Sequence, residues 1–146
     1  MTPATPQARI AAECARRGRS AVVADCLSIL HGDEPDSALL GVLGGPPAAR
    51  ILVGDSRADV ELWSRVWAAR GLLWALDEST VVQATTAVVA ALADPSWRVR
   101  EKAAQVVARH LVDAALPTVV ELRGADPVAR VRAAADRAVR RLTASG

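Results

Sequence analysis

Apolar residues recur along the chain in short blocks, at the spacing of one face of an α-helix. Two blocks follow the dipeptides Asp94-Pro95 and Asp126-Pro127, and in each the positions of the stripe fall at i, i+4, i+7, i+8 and i+11. The first stripe is Val99, Ala103, Val106, Val107 and His110, and the second is Val131, Ala135, Ala138, Val139 and Leu142. Each stripe covers one side of a helix and is typical of a buried face. The pattern predicts an all-α protein.

The two blocks are copies of one unit. Residues 94–109 align with 126–141 at a shift of 32 without a gap, and 8 of the 16 positions are identical. A repeat of this length indicates a solenoid, because each unit is too small to bury its own apolar face and stacks on its neighbours. In both copies the Asp and Pro predict helix entry, at residues 95 and 127.

Further helices are predicted on either side of these two. A short helix over 113–122 ends near Gly124, and its counterpart over 79–92 is capped by Ser79 or Thr80. The helix pieces predicted upstream are 5–17, 20–31, 36–43, 47–53 and 57–76.

The paired helices resemble a known repeat family. A short apolar helix with Ala115-Leu116-Pro117, a turn with Asp126-Pro127 and a helix with Val131-Arg132 followed by alanines resemble the HEAT repeat, particularly the short bacterial variety named after phycobilisome lyases. The resemblance implies a short right-handed α–α solenoid. Residues 1–146 then form one domain, with recognisable repeats over 57–143 and a divergent N-terminal cap over 1–54.

The resemblance also implies a ladder of hydrogen bonds between neighbouring repeats. In that family the turn Asp and the Arg six positions later carry the ladder, and the matching residues are Asp94, Arg100, Asp126 and Arg132. Carboxylate–guanidinium pairs are directional, so these residues are expected to be structural. In the degenerate unit over 57–76, Trp67 stands where the ladder arginine would be.

The aromatic residues are four tryptophans, without phenylalanine or tyrosine. Trp63, Trp67 and Trp74 share one helix face and are interpreted as core in preference to a stacking platform for bases or ligands. Trp97 lies in the first turn of its helix, beside Arg98 and away from the buried stripe. Whether Trp97 is an anchor at the rim of a binding surface stays open.

The positive charge is concentrated near the C-terminus. Residues 1–96 contain 8 Arg against 11 acidic residues, whereas 97–146 contain 10 basic residues against 5. Six cations recur on the exposed faces of the two repeat helices, and we name this set the basic strip: Arg98, Lys102, Arg109, Arg130, Arg137 and Arg141. Gln105 lies among them, and Arg65 is a candidate extension upstream.

The basic strip has two interpretations. One is a solvated face, since Glu101 and Asp136 interrupt it. The other is a concave groove that meets an acidic protein partner, with Trp97 beside the site. A net charge of +2 is small for a nucleic-acid-binding domain.

Enzymatic activity is not predicted. The chain lacks GxGxxG, GxxxxGK[ST], GxSxG, HExxH and CxxC motifs, so no catalytic residue, cofactor or metal is expected. Asp33, Glu34 and Asp36 are interpreted as solvated residues that cap the next helix. Alkylpurine DNA glycosylases and bilin lyases use HEAT-like scaffolds, and Trp74 with Asp77 is a weak similarity to the glycosylases.

Compartment is predicted from what the sequence lacks. No secretory signal or membrane-spanning stretch is readable, which favours a cytoplasmic protein without membrane contact. Cys14 and Cys26 are expected to be reduced. The predicted function is a non-catalytic protein-interaction scaffold, as a monomer or homodimer, and the alternative is a nucleic-acid-binding HEAT-like protein.

Overall fold

The computed structural model describes residues 4–144, and over that range the chain is all-helical, with nine α-helices, one 3-10 turn and no strand. The predicted all-α class is therefore confirmed. The helices belong to two compact units, one ending at Leu76 and the other beginning at Asp77.

The first unit contains five helices close to the predicted ranges. They are α1 (Pro6–Arg17), α2 (Arg19–Leu30), α3 (Ser37–Gly44), α4 (Pro46–Gly54) and α5 (Arg57–Ala75). Side-chain oxygens of Thr5, Asp36 and Ser56 accept backbone N–H groups at the starts of α1, α3 and α5. These caps satisfy donors that lack a partner within the helix.

The core of the first unit surrounds α5, which packs against α1, α2 and α3. Trp67 is 5% exposed, and its ring lies so close to Gly44 that a Cβ there would be 2.7 Å from ring atoms. Trp63 and Trp74 are half-buried, with the rings of Trp63 and Trp67 centred 6.0 Å apart. Of the three tryptophans interpreted as core, Trp67 is buried and the other two are half-buried.

Two arginines bind the C-terminal carbonyls of α3. Arg9 Nε donates to Val42 O at 2.9 Å, and Arg70 Nη2 donates to Leu43 O at 2.5 Å. Cations at this end complement the helix dipole. Burial lowers the pKa of Arg70, and the nearby charge of Arg9 lowers it further. These bonds connect α1 and α5 to α3.

The second unit contains the repeated sequence. Its elements are α6 (Val81–Ala91), α7 (Trp97–His110), a 3-10 turn (Asp113–Ala115), α8 (Leu116–Ala125) and α9 (Ala129–Ala144). Helix α7 packs against α6 and α9, and α8 packs against α9. Val99 and Val131, the first residues of the two predicted stripes, are fully buried.

The predicted helix entries at 95 and 127 are wrong by two residues, since α7 begins at Trp97 and α9 at Ala129. Asp94 Oδ1 accepts the N–H of Ser96, and Asp126 Oδ1 accepts the N–H of Val128, both at 2.9 Å. Each Asp therefore closes a turn ahead of its helix, with the proline inside that turn. Ser96 is the N-cap of α7 and accepts the N–H of Arg98.

The N-cap of α6 is Thr80, one of the two residues predicted for that position. Its side chain makes no capping bond. Instead, Asp77 Oδ1 accepts the backbone N–H groups of Ser79 and Thr80, both at 3.0 Å. Hydrogen bonds from the hydroxyls of Ser79 and Thr80 are the main reason that the pKa of Asp77 is lowered.

Candidate functional site

On α7, the residues of the basic strip lie on the part of the helix surface that neighbouring helices do not cover. Arg98 and Arg109 are the exposed residues of that helix, whereas the remaining positions are buried or half-buried. Lys102 and Gln105 are half-buried, and Lys102 Nζ donates to Gln105 Oε1 at 3.3 Å. Because the neighbouring helices cover the rest of α7, any partner that meets this helix meets these side chains.

Helix α9 carries a second row of cations on one face. Arg130, Arg137 and Arg141 are all exposed and fall at i, i+7 and i+11. Arg130 Nε donates to Glu101 Oε2 at 2.9 Å, and Arg141 Nε donates to Ala108 O at 3.3 Å. The start of α9 thus contacts the early part of α7, and the end of α9 contacts the later part, so the helices run parallel and their cation rows lie side by side.

Trp97 lies at the N-terminal end of the two rows. The guanidinium carbon of Arg98 is 4.6 Å from the centroid of the Trp97 ring, and that of Arg130 is 5.4 Å from it. Both distances are within the range of cation–π attraction. The half-buried indole therefore gathers cations from α7 and α9 over one ring.

The two acidic residues that interrupt the basic strip in the sequence have different partners. The side chain of Glu101 is 9% exposed and pairs with Arg130. Asp136 pairs with Arg140 at 2.9 Å and approaches Arg123 at 3.9 Å. Asp136 therefore neutralises cations outside the basic strip. Sequence reasoning missed the role of Glu101, because a contact 29 residues away leaves no periodic signal.

The residues of the predicted ladder meet at the turn before α9. Arg100 donates from Nε and Nη2 to the carboxylate of Asp126 at 2.8 and 3.2 Å, and from Nη1 to Asp94 O at 2.9 Å. Arg132 Nη1 donates to the backbone oxygen of Asp126 at 2.8 Å. Burial by itself raises the pKa of Asp126, but hydrogen bonds from Arg100 and the Val128 N–H outweigh it, and the net pKa is lowered.

The first unit contains a cleft of about 520 Å³ with a partly acidic lining. Its walls include Asp33, Glu34 and Arg65, and Arg65 is the residue that the sequence added to the basic strip. Asp36 caps α3 through the N–H of Ala38, as predicted for this acidic segment. Ser64 also lines the cleft, and its Oγ donates to Val60 O at 2.6 Å.

The described part of the chain contains no group of three or more His, Cys, Asp or Glu residues placed to hold a metal ion. None of the helices between residues 4 and 144 is both long and apolar enough to cross a bilayer. The candidate site on α7 and α9 consists of exposed arginines beside the half-buried indole of Trp97.

Comparison with protein-family models, with curated proteins and with solved structures finds no match for this chain. The resemblance to HEAT repeats accordingly rests on the sequence motifs, and the site is interpreted from its own geometry.

Proposed function

We propose that the protein is a non-catalytic interaction module that presents the basic strip to an acidic protein partner. The observation that carries the proposal is the parallel arrangement of α7 and α9, which places two rows of cations side by side. Arg130 and Arg141 span about 16 Å along α9, a length over which an acidic segment contacts several cations at once.

The same arrangement supports the proposal that the second unit is built of HEAT-like repeats in a right-handed α–α solenoid. Parallel second helices 32 residues apart, each preceded by a shorter helix, are what stacked helix pairs produce. The bond from Arg100 to Asp126 joins one repeat to the turn of the next. A rigid support of this kind holds the cations in fixed positions before a partner arrives.

An acidic protein fits the charges better than a nucleic acid does. The site contains the buried carboxylate of Glu101, and the whole chain carries a net charge of only +2. Nucleic-acid-binding domains usually carry a larger excess of positive charge. Trp97 nevertheless offers an indole on which a base would stack, so nucleic acid is tested in the same experiment.

The experiment measures fluorescence anisotropy with a labelled peptide of twelve glutamates, a labelled single strand and a labelled duplex of twelve nucleotides or base pairs. The full-length protein is expected to bind the peptide, with an affinity that decreases as NaCl is raised from 50 to 300 mM. If the protein binds the nucleic acids more tightly than the peptide at every salt concentration, the proposal of an acidic protein partner is wrong and nucleic-acid binding is favoured.

A pair of matched variants locates the binding surface. Changing Arg98, Arg130 and Arg137 to Gln removes three charges without placing a second carboxylate beside Glu101. Peptide binding should be lost in this variant. The control variant uses three exposed arginines outside the basic strip and changes them to Gln: Arg50, Arg57 and Arg123. Equal losses in the two variants would show that net charge, and not the basic strip, is responsible.

A further inference from the structure

The contact with the Trp97 ring distinguishes Arg98 of α7 and Arg130 of α9 from Arg137. Both guanidiniums lie over that ring, at 4.6 and 5.4 Å from the centroid. A guanidinium stacked on an indole still presents its N–H groups at the edge of its own plane. The side chain of Arg137, seven residues after Arg130 on the same face, makes no hydrogen bond or ion pair with any residue between 4 and 144.

Glu101 fixes how Arg130 meets a ligand. Its carboxylate is buried and accepts Arg130 Nε at 2.9 Å, while the Arg130 side chain is 69% exposed. Because Nε is engaged, a ligand carboxylate meets Arg130 end-on, through the two terminal nitrogens. Arg130 is thus restrained by an ion pair at Nε and by the indole.

From this geometry we infer that Trp97, Arg98 and Arg130 form an anchor subsite, which binds one carboxylate of the acidic partner through two parallel hydrogen bonds from the end of Arg130. This inference rests on the proposed function and adds the way in which the partner is recognised. Glu101 is a positioning residue of the subsite. Arg137 contributes positive charge to binding, but no neighbouring residue fixes the orientation of its guanidinium.

The reason for expecting an anchor here is preorganisation. An unrestrained arginine loses side-chain freedom when it binds, whereas a side chain already held by an indole and a buried carboxylate loses less. The planar fork of a guanidinium matches a carboxylate, and lysine cannot reproduce that match. Substitutions that keep the positive charge therefore distinguish the contribution of charge to binding from the contribution of the guanidinium geometry.

The test compares Arg130→Lys with the matched control Arg137→Lys, using the twelve-glutamate peptide. Both variants keep a cation on the same face of α9. Arg130→Lys should weaken binding by about threefold to tenfold, because it removes the fork and weakens the stacking on Trp97. Arg137→Lys should change the affinity by less than about twofold.

Substitutions at Glu101 provide the second arm. Glu101→Gln keeps an oxygen that accepts Arg130 Nε and removes a negative charge, so peptide affinity should be kept or increased. Glu101→Leu removes the acceptor as well as the charge, so the affinity should decrease in spite of the higher net charge. Thermal melting of each variant confirms that it is folded before binding is measured.

The outcomes separate the two proposals. If the unmodified protein does not bind the peptide, the proposed function fails and the subsite with it. If it binds but Arg130→Lys and Arg137→Lys have equal effects, the anchor subsite alone is wrong. Increased affinity in both Glu101 variants would likewise overturn the positioning role. If single-stranded DNA shows the Arg130 dependence and the peptide does not, the subsite recognises phosphate and the inference is wrong.

Discussion

Arg100 and Asp126 form a two-bond ion pair across 26 residues, with Arg100 Nε 2.8 Å from Asp126 Oδ2. The Asp126 side chain is 2% exposed and that of Arg100 is 14% exposed. This buried pair joins the beginning of α7 to the turn that precedes α9, and it also orients the turn through the N–H of Val128.

Replacing Arg100 should destabilise the protein strongly. Arg100→Ala leaves the buried carboxylate of Asp126 without its cation, and we expect a loss of about 2–4 kcal/mol in the free energy of unfolding. Arg132→Ala removes a bond to a backbone oxygen and should cost about 1 kcal/mol. Urea denaturation of both variants measures the difference. If the two losses are equal, Arg100–Asp126 does not carry the ladder.

The stability that the Arg100–Asp126 pair contributes should also depend on pH. The pKa of Asp126 is lower in the folded protein than its ordinary value, so its stabilising contribution is complete above the unfolded pKa of about 4 and is lost as pH falls through the folded pKa. We expect the difference in melting temperature between the unmodified protein and Asp126→Asn to shrink between pH 6 and pH 3. A difference that stays constant over this range would contradict the lowered pKa.

Two glycines of α3 should respond to alanine in opposite ways. At Gly44 a Cβ would be 2.7–2.8 Å from ring atoms of Trp67, so Gly44→Ala should destabilise by about 1–3 kcal/mol. At Gly41 a Cβ meets no atom within 4 Å, so Gly41→Ala should stabilise by about 0.5–1 kcal/mol. Thermal unfolding of the two variants, three residues apart, tests the packing of α3 on α5. Similar effects at both positions would show that Trp67 does not cover Gly44.

The two cysteines should be unreactive in the folded protein. Cys14 and Cys26 are both buried, and neither forms a disulfide. Burial is the main reason that the pKa of Cys26 is raised to about 12, with smaller contributions from Asp25 and Cys14. Since the thiolate is the reactive form, a disulfide-exchange reagent at pH 8 should react slowly in buffer and quickly in 6 M guanidinium chloride. Rapid reaction of two thiols per chain under native conditions would contradict this burial.

Much of the local structure follows from the sequence. The stripes after Asp94 and Asp126 have the helical period, and they predict both the helices and the residues, such as Val99 and Val131, that are fully buried. The helices begin two residues later than predicted. The reason is that an Asp-Pro pair is compatible both with the first turn of a helix and with a separate turn that precedes the helix. In both copies the Asp carboxylate accepts the N–H two residues later, which closes the turn and places the helix start after it.

The candidate site was less predictable. The shift of 32 residues relates Arg98 to Arg130, and the helical period places Lys102 and Arg109 on the same face as Arg98. Neither pattern indicates which acid meets which arginine. Glu101 pairs with Arg130, whereas Asp136 pairs with Arg140 beside the basic strip.

The residue pattern alone predicts the helical class, the repeated unit and the faces of α7 and α9, because these features depend on contacts within a few turns of one helix. The partners of the charged side chains depend instead on how the helices pack. Arg100 meets Asp126, and Arg130 lies over Trp97, only when α7 and α9 pack in one register. That register arises from the interlocking of apolar side chains on both helices, which the order of residues along either helix does not specify.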